Sequence, residues 1–170
     1  TRARIPWLFI GLLGGILGAI IIGNYEEDLR IYPEMAAFLP LIAAMCGNVG
    51  VQSSSIIVQS LADNSLGIGS IGSKLLKELA VASINGLILS AMIFMYNSFI
   101  NESFALSITV STALFSGIIF ASIFGTFVPL LLNRLKIDPA LATGPFITTV
   151  NDIMGLFLYL MIGRAFYGML

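Results

Sequence analysis

No histidine occurs anywhere in the 170 residues. That removes the commonest general base and the commonest transition-metal ligand. There is one cysteine, Cys46, so an internal disulfide is excluded. It stands in an apolar run, where a small buried hydrophobe is its expected role. Charge is scarce as well: 10% of residues are Asp, Glu, Lys or Arg, against about 25% in soluble domains. The formal net charge of −1 offers nucleic acid no electrostatic footprint, and none is expected as a partner. No segment alternates in the two-residue rhythm of a barrel strand. An intramembrane aspartyl protease needs a second Asp within the membrane and a serine protease usually needs His, so no enzyme is expected.

What is present is apolar. Hydrophobic residues make up 58% of the chain and mean hydropathy is +1.00. The composition is that of an all-α integral membrane protein, lying in the cell membrane as a multi-pass chain. A helix needs about 20 apolar residues to cross the hydrocarbon core. Five stretches qualify, at 5–23, 35–62, 79–96, 104–132 and 145–169. Arg2, Arg4, Lys74, Lys77, Arg134 and Lys136 fall on one side of these spans, and Arg30 and Arg164 on the other. The excess sets the N-terminus in the cytoplasm and the C-terminus outside. The loop from Glu26 to Glu34 is then outside and acidic. It reads as a solvated loop or as a concentrator of cations. The glycine-rich, then amphipathic, stretch 66–77 reads as a cytoplasmic connection, with its lysines near anionic headgroups. The chain starts with Thr1 and enters a span almost at once, without a clear signal-peptide cleavage site. The expectation is a fragment lacking a preceding soluble part.

One acidic residue lies inside these five stretches: Asp152. A carboxylate at the centre of a membrane helix costs roughly 2.5–3.5 kcal/mol on the lenient insertion scale. A site for a cation or a proton is the default reading. Its neighbours strengthen it. Pro145, Thr148 or Thr149, Asp152 and Gly155 recur at helical spacing and share one broad face. Asp138-Pro139 reads as an N-cap and first turn of a short helix before the Gly144-Pro145 interruption. The competing reading is a protonated Asp152 bonded to Asn48 or Gln52.

The second span is polar for its place. Asn48, Gln52, Ser55 and Gln59 fall at i, i+4, i+7 and i+11, on one helical face. Such a face either bonds neighbouring helices or lines a wet cavity. Gly47 and Gly50 allow close backbone approach or local unwinding. Pro40 either kinks this helix or starts it. In the first span, the pairs Gly11/Gly15 and Gly14/Gly18 suit tight helix crossing. In the fourth, most hydroxyls are expected to bond their own helix, and Pro129 to kink or end it.

One carboxylate is a thin site for a divalent ion. Most homo-oligomers are two-fold dimers, and a residue near the axis meets its copy. Two Asp152 side chains so placed must bind a cation or share a proton. With hydroxyls, amides and carbonyls around them the donors are all oxygen, which suits Mg²⁺, Ca²⁺ or Mn²⁺. Mg²⁺ sheds water reluctantly, so its pore must admit a hydrated ion.

Pro40 followed by Gly47-Asn48-x-Gly50-x-Gln52, with Asp138-Pro139-Ala140 and Pro145-x-x-Thr148-Thr149-x-x-Asp152-x-x-Gly155, resembles the MgtE-type magnesium channels and transporters. The resemblance covers essentially the whole chain. It implies a homodimer with a pore at the subunit interface, conducting largely hydrated Mg²⁺, and also Mn²⁺ or Co²⁺ where selectivity allows. It implies that Asp152 is the main ion-binding residue, with Thr148 and Gly144 one and two turns before it. Gly47, Asn48, Gly50, Gln52, Pro145 and Thr149 are the further pore-lining candidates. Cytoplasmic regulatory domains, usual in the family, are absent from this stretch. A proton- or Na⁺-coupled carrier using Asp152 as coupling residue is the alternative.

Overall fold

The computed structural model describes residues 5–63, 71–100, 103–142 and 144–168. All regular structure among them is helical. Five helical segments are long and apolar enough to cross a membrane. Helix α1 spans Ile5–Asn24, and the short α2 spans Glu26–Ile31. A 3-10 segment, Pro33–Phe38, leads into α3 at Leu39–Ala62. Helices α4 (Ile71–Phe99), α5 (Phe104–Arg134) and α6 (Pro145–Tyr167) complete the chain. Arg2, Arg4, the stretch 64–70 and Met169 lie outside the described residues.

The termini of these helices follow local chemistry. Pro40 occupies the first turn of α3, where its missing N–H costs nothing. It is therefore a start, and the kink is not needed. Ser103 caps α5, its hydroxyl accepting from the Leu106 N–H at 3.1 Å. Pro129 sits inside α5, which continues to Arg134 rather than ending there. Asp138 Oδ1 accepts from the Ala140 N–H at 2.9 Å and opens a 3-10 turn at Pro139–Ala142, the short helix expected. Gly144 precedes α6 with φ 89° and ψ −133°, a conformation that suits glycine. Pro145 then starts α6, so Gly144-Pro145 is the expected interruption between the short helix and the fifth span.

Helix α4 departs furthest from expectation. It begins at Ile71 rather than near Leu79. Lys74, Lys77 and Glu78 are thus its first two turns, not a connection. Glu78 consequently lies within a candidate span, Gly72–Phe99, and Asp152 is not the only acidic residue in the spans.

Helix α5 forms the centre and packs against α3, α4 and α6. Ile42, Cys46, Val110, Ile118, Ala121, Tyr159 and Leu160 are buried around it. Lipid tails are as apolar as leucine, so close packing rather than hydrophobic exclusion must hold such helices together. Small residues supply it. The Cβ that Gly125 lacks would strike the Gly50 carbonyl oxygen, so α5 and α3 meet backbone to backbone. Gly117 and Gly155 make room on two sides for the Cys46 thiol, with Sγ 2.5 and 2.7 Å from where their Cβ atoms would be. Tyr159, wholly buried, donates its hydroxyl to the Met35 carbonyl at 2.9 Å.

Helix α1 rests almost entirely on α6. Gly14 and Gly18 are its buried residues; Leu8, Leu12, Ile16 and Ile20 point outward four residues apart. At the same end as α2, Arg164 of α6 donates from Nε (2.9 Å) and Nη2 (2.6 Å) to Asp28 Oδ2. Its guanidinium also lies 4.2 Å from the centre of the Tyr25 ring. The acidic segment is therefore a folded helix clamped to α6, not an open loop.

Candidate functional site

Asp152 stands seven residues into α6, about 10 Å of helix rise from its start. It is half-buried. Its Oδ1 is fully buried and finds no hydrogen-bond partner in the structure. Oδ1 occupies the space that a Cβ on Gly47 would fill, and Thr148 Cγ2 lies 3.1 Å from that same position. Two glycines of α3 thus bring its bare backbone against α6: Gly47 against Asp152 and Thr148, Gly50 against Asn151 and Ile147.

On its other side the carboxylate borders a recess of about 400 Å³ between α1, α3 and α6. Gly11, Gly14, Gly15 and Gly18 supply the α1 wall, with Ala43 from α3 and Thr149 from α6. Packing alone does not account for these four glycines. Gly14 is pressed onto the Thr149 side chain, and Gly18 meets Leu156 at 3.6 Å. A Cβ on Gly11 or Gly15 would touch nothing within 4 Å. The second pair leaves the recess open beside Asp152.

The expected residues fall into three sets. Asp152, Thr148, Gly47 and Gly50 come together at the α3–α6 contact, and Thr149 borders the recess where α6 meets α1. Gly144 and Pro145 stand at the start of α6, one to two turns below. The Gly144 carbonyl accepts from both the Thr148 N–H (3.1 Å) and the Thr148 hydroxyl (3.2 Å). Those two oxygens are therefore turned toward each other. Asn48 and Gln52 are elsewhere. They line a cavity of about 350 Å³ with Asn85 of α4, on a different side of α3 from the Asp152 recess. Asn48, Gln52, Ser55 and Gln59 are all exposed. The polar stripe of α3 faces out of the helix bundle, so it does not glue this helix to its own neighbours.

Two polar residues escaped the sequence reading. Asn151 is completely buried. Its Nδ2 donates to the Ile147 carbonyl at 2.9 Å, and its Oδ1 has no partner. Its position beside Asp152 was a signal, but which of the pair turned inward depended on the helix packing. Glu78 Oε1 accepts from the hydroxyls of Ser53 (2.6 Å) and Ser122 (3.0 Å). Ser107 and Ser111 bond back to main-chain carbonyls one turn earlier, whereas Ser122 bonds across helices.

Chemically, the Asp152 site is a single carboxylate with glycine backbone and hydroxyls around it. Among the described residues no three His, Cys, Asp or Glu side chains gather in one place. The ion pair found among them joins Arg164 to Asp28, at the α2 end. A partnerless carboxylate oxygen in a poorly hydrated place is costly, and a cation or a proton relieves it. Six waters at about 30 Å³ each fill about 180 Å³, so the recess of about 400 Å³ accommodates an ion with its hydration shell.

Comparison with known proteins bears on the same region. The family model MgtE, described as divalent cation transporter, matches residues 39–162, from the start of α3 nearly to the end of α6. The "Magnesium transporter MgtE" of Bacillus subtilis is 32% identical over 163 residues, 96% of this chain. The protein of the same name from Enterococcus faecalis is 31% identical over 163 residues, and that from Thermus thermophilus 32% over 162. The chain spans 36% of the length of each of these relatives.

Proposed function

We propose, from the premise that this multi-pass membrane chain belongs to the MgtE family of divalent cation transporters, that it forms a path for hydrated Mg²⁺ with Asp152 as its main ion-binding residue. The observation that carries this is the Asp152 carboxylate itself. It lies inside a span, one oxygen is buried without a partner, and the other side borders a recess large enough for a hydrated ion. The relatives' names supply the ion, magnesium.

A lone carboxylate neutralises half of a divalent charge. A second copy of the chain, related by a two-fold axis, supplies the other half. The outward polar stripe of α3 supports such a partner, because Asn48, Gln52, Ser55 and Gln59 do not belong against lipid. In this arrangement the ion keeps its water. Asp152 attracts it, and Thr149 and the bare backbone at Gly47 and Gly50 border its route. Thr148 and the Gly144 carbonyl reach the hydration shell once their mutual bond opens. The basic residues at the α4 start and the α5 end support an orientation with those ends in the cytoplasm and the α2 end outside.

The test is flux through purified protein in liposomes. Asp152→Ala should abolish Mg²⁺ uptake while the protein stays folded; uptake at the wild-type rate would sink the assignment. Removing proton and Na⁺ gradients should leave uptake unchanged, and its collapse would favour a coupled carrier.

A further inference from the structure

Asp152 is used by the proposed ion path, whereas Glu78, a carboxylate within the α4 span, has no role in it. Glu78 lies seven residues into α4. It shares its turn with Lys77, which is exposed, whereas Glu78 is half-buried and turned inward. There it is held by two hydroxyls from two other helices. Ser53 Oγ of α3 donates to Oε1 at 2.6 Å, Ser122 Oγ of α5 donates to the same atom at 3.0 Å, and the two hydroxyls lie 3.1 Å apart. Both serines are buried, at 4% and 3% exposure. Three helices therefore meet at one carboxylate oxygen, through charge-assisted bonds of the stronger kind.

This junction matters because, among the described residues, the α3 and α4 backbones come close at few places. Cavities of about 490, 260 and 350 Å³ run between them. The first two share Leu41, Ile93 and Tyr96, and the last two share Met45 and Leu89. Among the described residues, Ser53–Glu78 is a direct hydrogen bond between the two helices. On α3, Ser53 follows Gly50 by three residues and Gly47 by six, about 5 and 9 Å of rise. Those glycines are the ones that Asn151 and Asp152 press against.

We infer that Glu78 is a positioning residue for the ion path. Through Ser53 it holds α3 at the height and rotation that keep the bare backbone of Gly47 and Gly50 against Asp152 and Asn151. It acts as a hydrogen-bond acceptor and does not touch the ion. The inference rests on the reading of Asp152 as the ion-binding residue.

The experiment compares Glu78→Ala, Glu78→Gln, Ser53→Ala and the Glu78→Ala/Ser53→Ala pair in liposomes, with Asp152→Asn alongside. In folded Glu78→Ala the Mg²⁺ concentration for half-maximal uptake should rise about tenfold, the worth of one lost charge-assisted bond. Glu78→Gln keeps an acceptor and should return it to within about threefold of wild type. Ser53→Ala should add little to Glu78→Ala, because both remove the same tie. A second measurement does not depend on transport: the rate of cross-linking Gln52→Cys to Asn85→Cys across the cavity they share should change several-fold in Glu78→Ala. Should Glu78→Ala fail to insert, Ser53→Ala, which deletes one hydroxyl, carries the same two expectations. Wild-type half-saturation together with wild-type cross-linking would overturn the inference. So would a Glu78→Gln protein as impaired as Glu78→Ala, which would mean that the charge acts on the ion directly. Wild-type uptake in Asp152→Asn would remove the ion-site reading alone, and the cross-linking result would then decide whether Glu78 positions α3.

Discussion

Replacing Gly47 with alanine adds one methyl group, and the structure places that methyl on the Asp152 carboxylate. The new Cβ would overlap Asp152 Oδ1 and lie 3.3 Å from Asp152 Cγ and 3.1 Å from Thr148 Cγ2. Either the carboxylate swings away or α3 and α6 separate. Adding a methylene to a well-packed contact costs typically about 1–3 kcal/mol. If that cost falls on the site, each 1.4 kcal/mol is about a tenfold loss, so Mg²⁺ uptake should fall about 5- to 150-fold. Gly23→Ala is the matched control. It adds the same methyl to a membrane helix, α1, at a position with nothing within 4 Å and outside the recess lining. Its uptake should stay within about twofold of wild type, as expected where no packing is disturbed. The assay is initial uptake into liposomes at subsaturating Mg²⁺, normalised to folded protein by size-exclusion chromatography. If Gly47→Ala and Gly23→Ala transport alike, the contact between Gly47 and Asp152 does not govern the path, and that site geometry is wrong.

Gly125→Ala directs its methyl into the Gly50 carbonyl, a backbone atom that cannot rotate aside; thermal unfolding in detergent should show a loss near the upper end of the overpacking range, about 3 kcal/mol, and an unchanged melting temperature would contradict the backbone-to-backbone contact. Tyr159→Phe strips the buried Met35 carbonyl of its donor and should cost about 1–3 kcal/mol in the same assay. Arg164→Ala releases α2 from α6; because that pair is exposed, overall stability should barely move, while hydrogen exchange at residues 26–31 should speed up markedly. Exchange unchanged there would show that α2 is held by something other than the Arg164 clamp.

The five spans were legible because each is a run of apolar residues longer than a bilayer core requires, and no tertiary information changes that. Their ends were less legible. Hydropathy stops at charge, whereas a helix stops where its hydrogen bonds stop. Lys74, Lys77 and Glu78 therefore looked like a connection although they are the first two turns of α4. Pro40 and Pro145 were ambiguous for a related reason. A proline is harmless in a first turn and disruptive in the interior, and its sequence does not say where the helix begins. Gly144 at φ 89° answers the question for Pro145.

The sequence by itself determined the class of molecule, the presence of a carboxylate inside a span, and the existence of a single polar face on α3, since helical periodicity alone puts Asn48, Gln52, Ser55 and Gln59 together. Tertiary structure decided what those features meet. Asp152 faces Gly47 and a recess walled by α1 glycines, while the polar stripe turns outward and its Asn48 and Gln52 share a cavity with Asn85 instead. Adjacent residues on a helix point about 100° apart, so Gly47 and Asn48 cannot serve the same wall, and only the rotation of α3 against α6 settles which one does. The same holds for Glu78. That its partners are Ser53 and Ser122, 25 and 44 residues away, is fixed by how three helices cross and by nothing local in the chain.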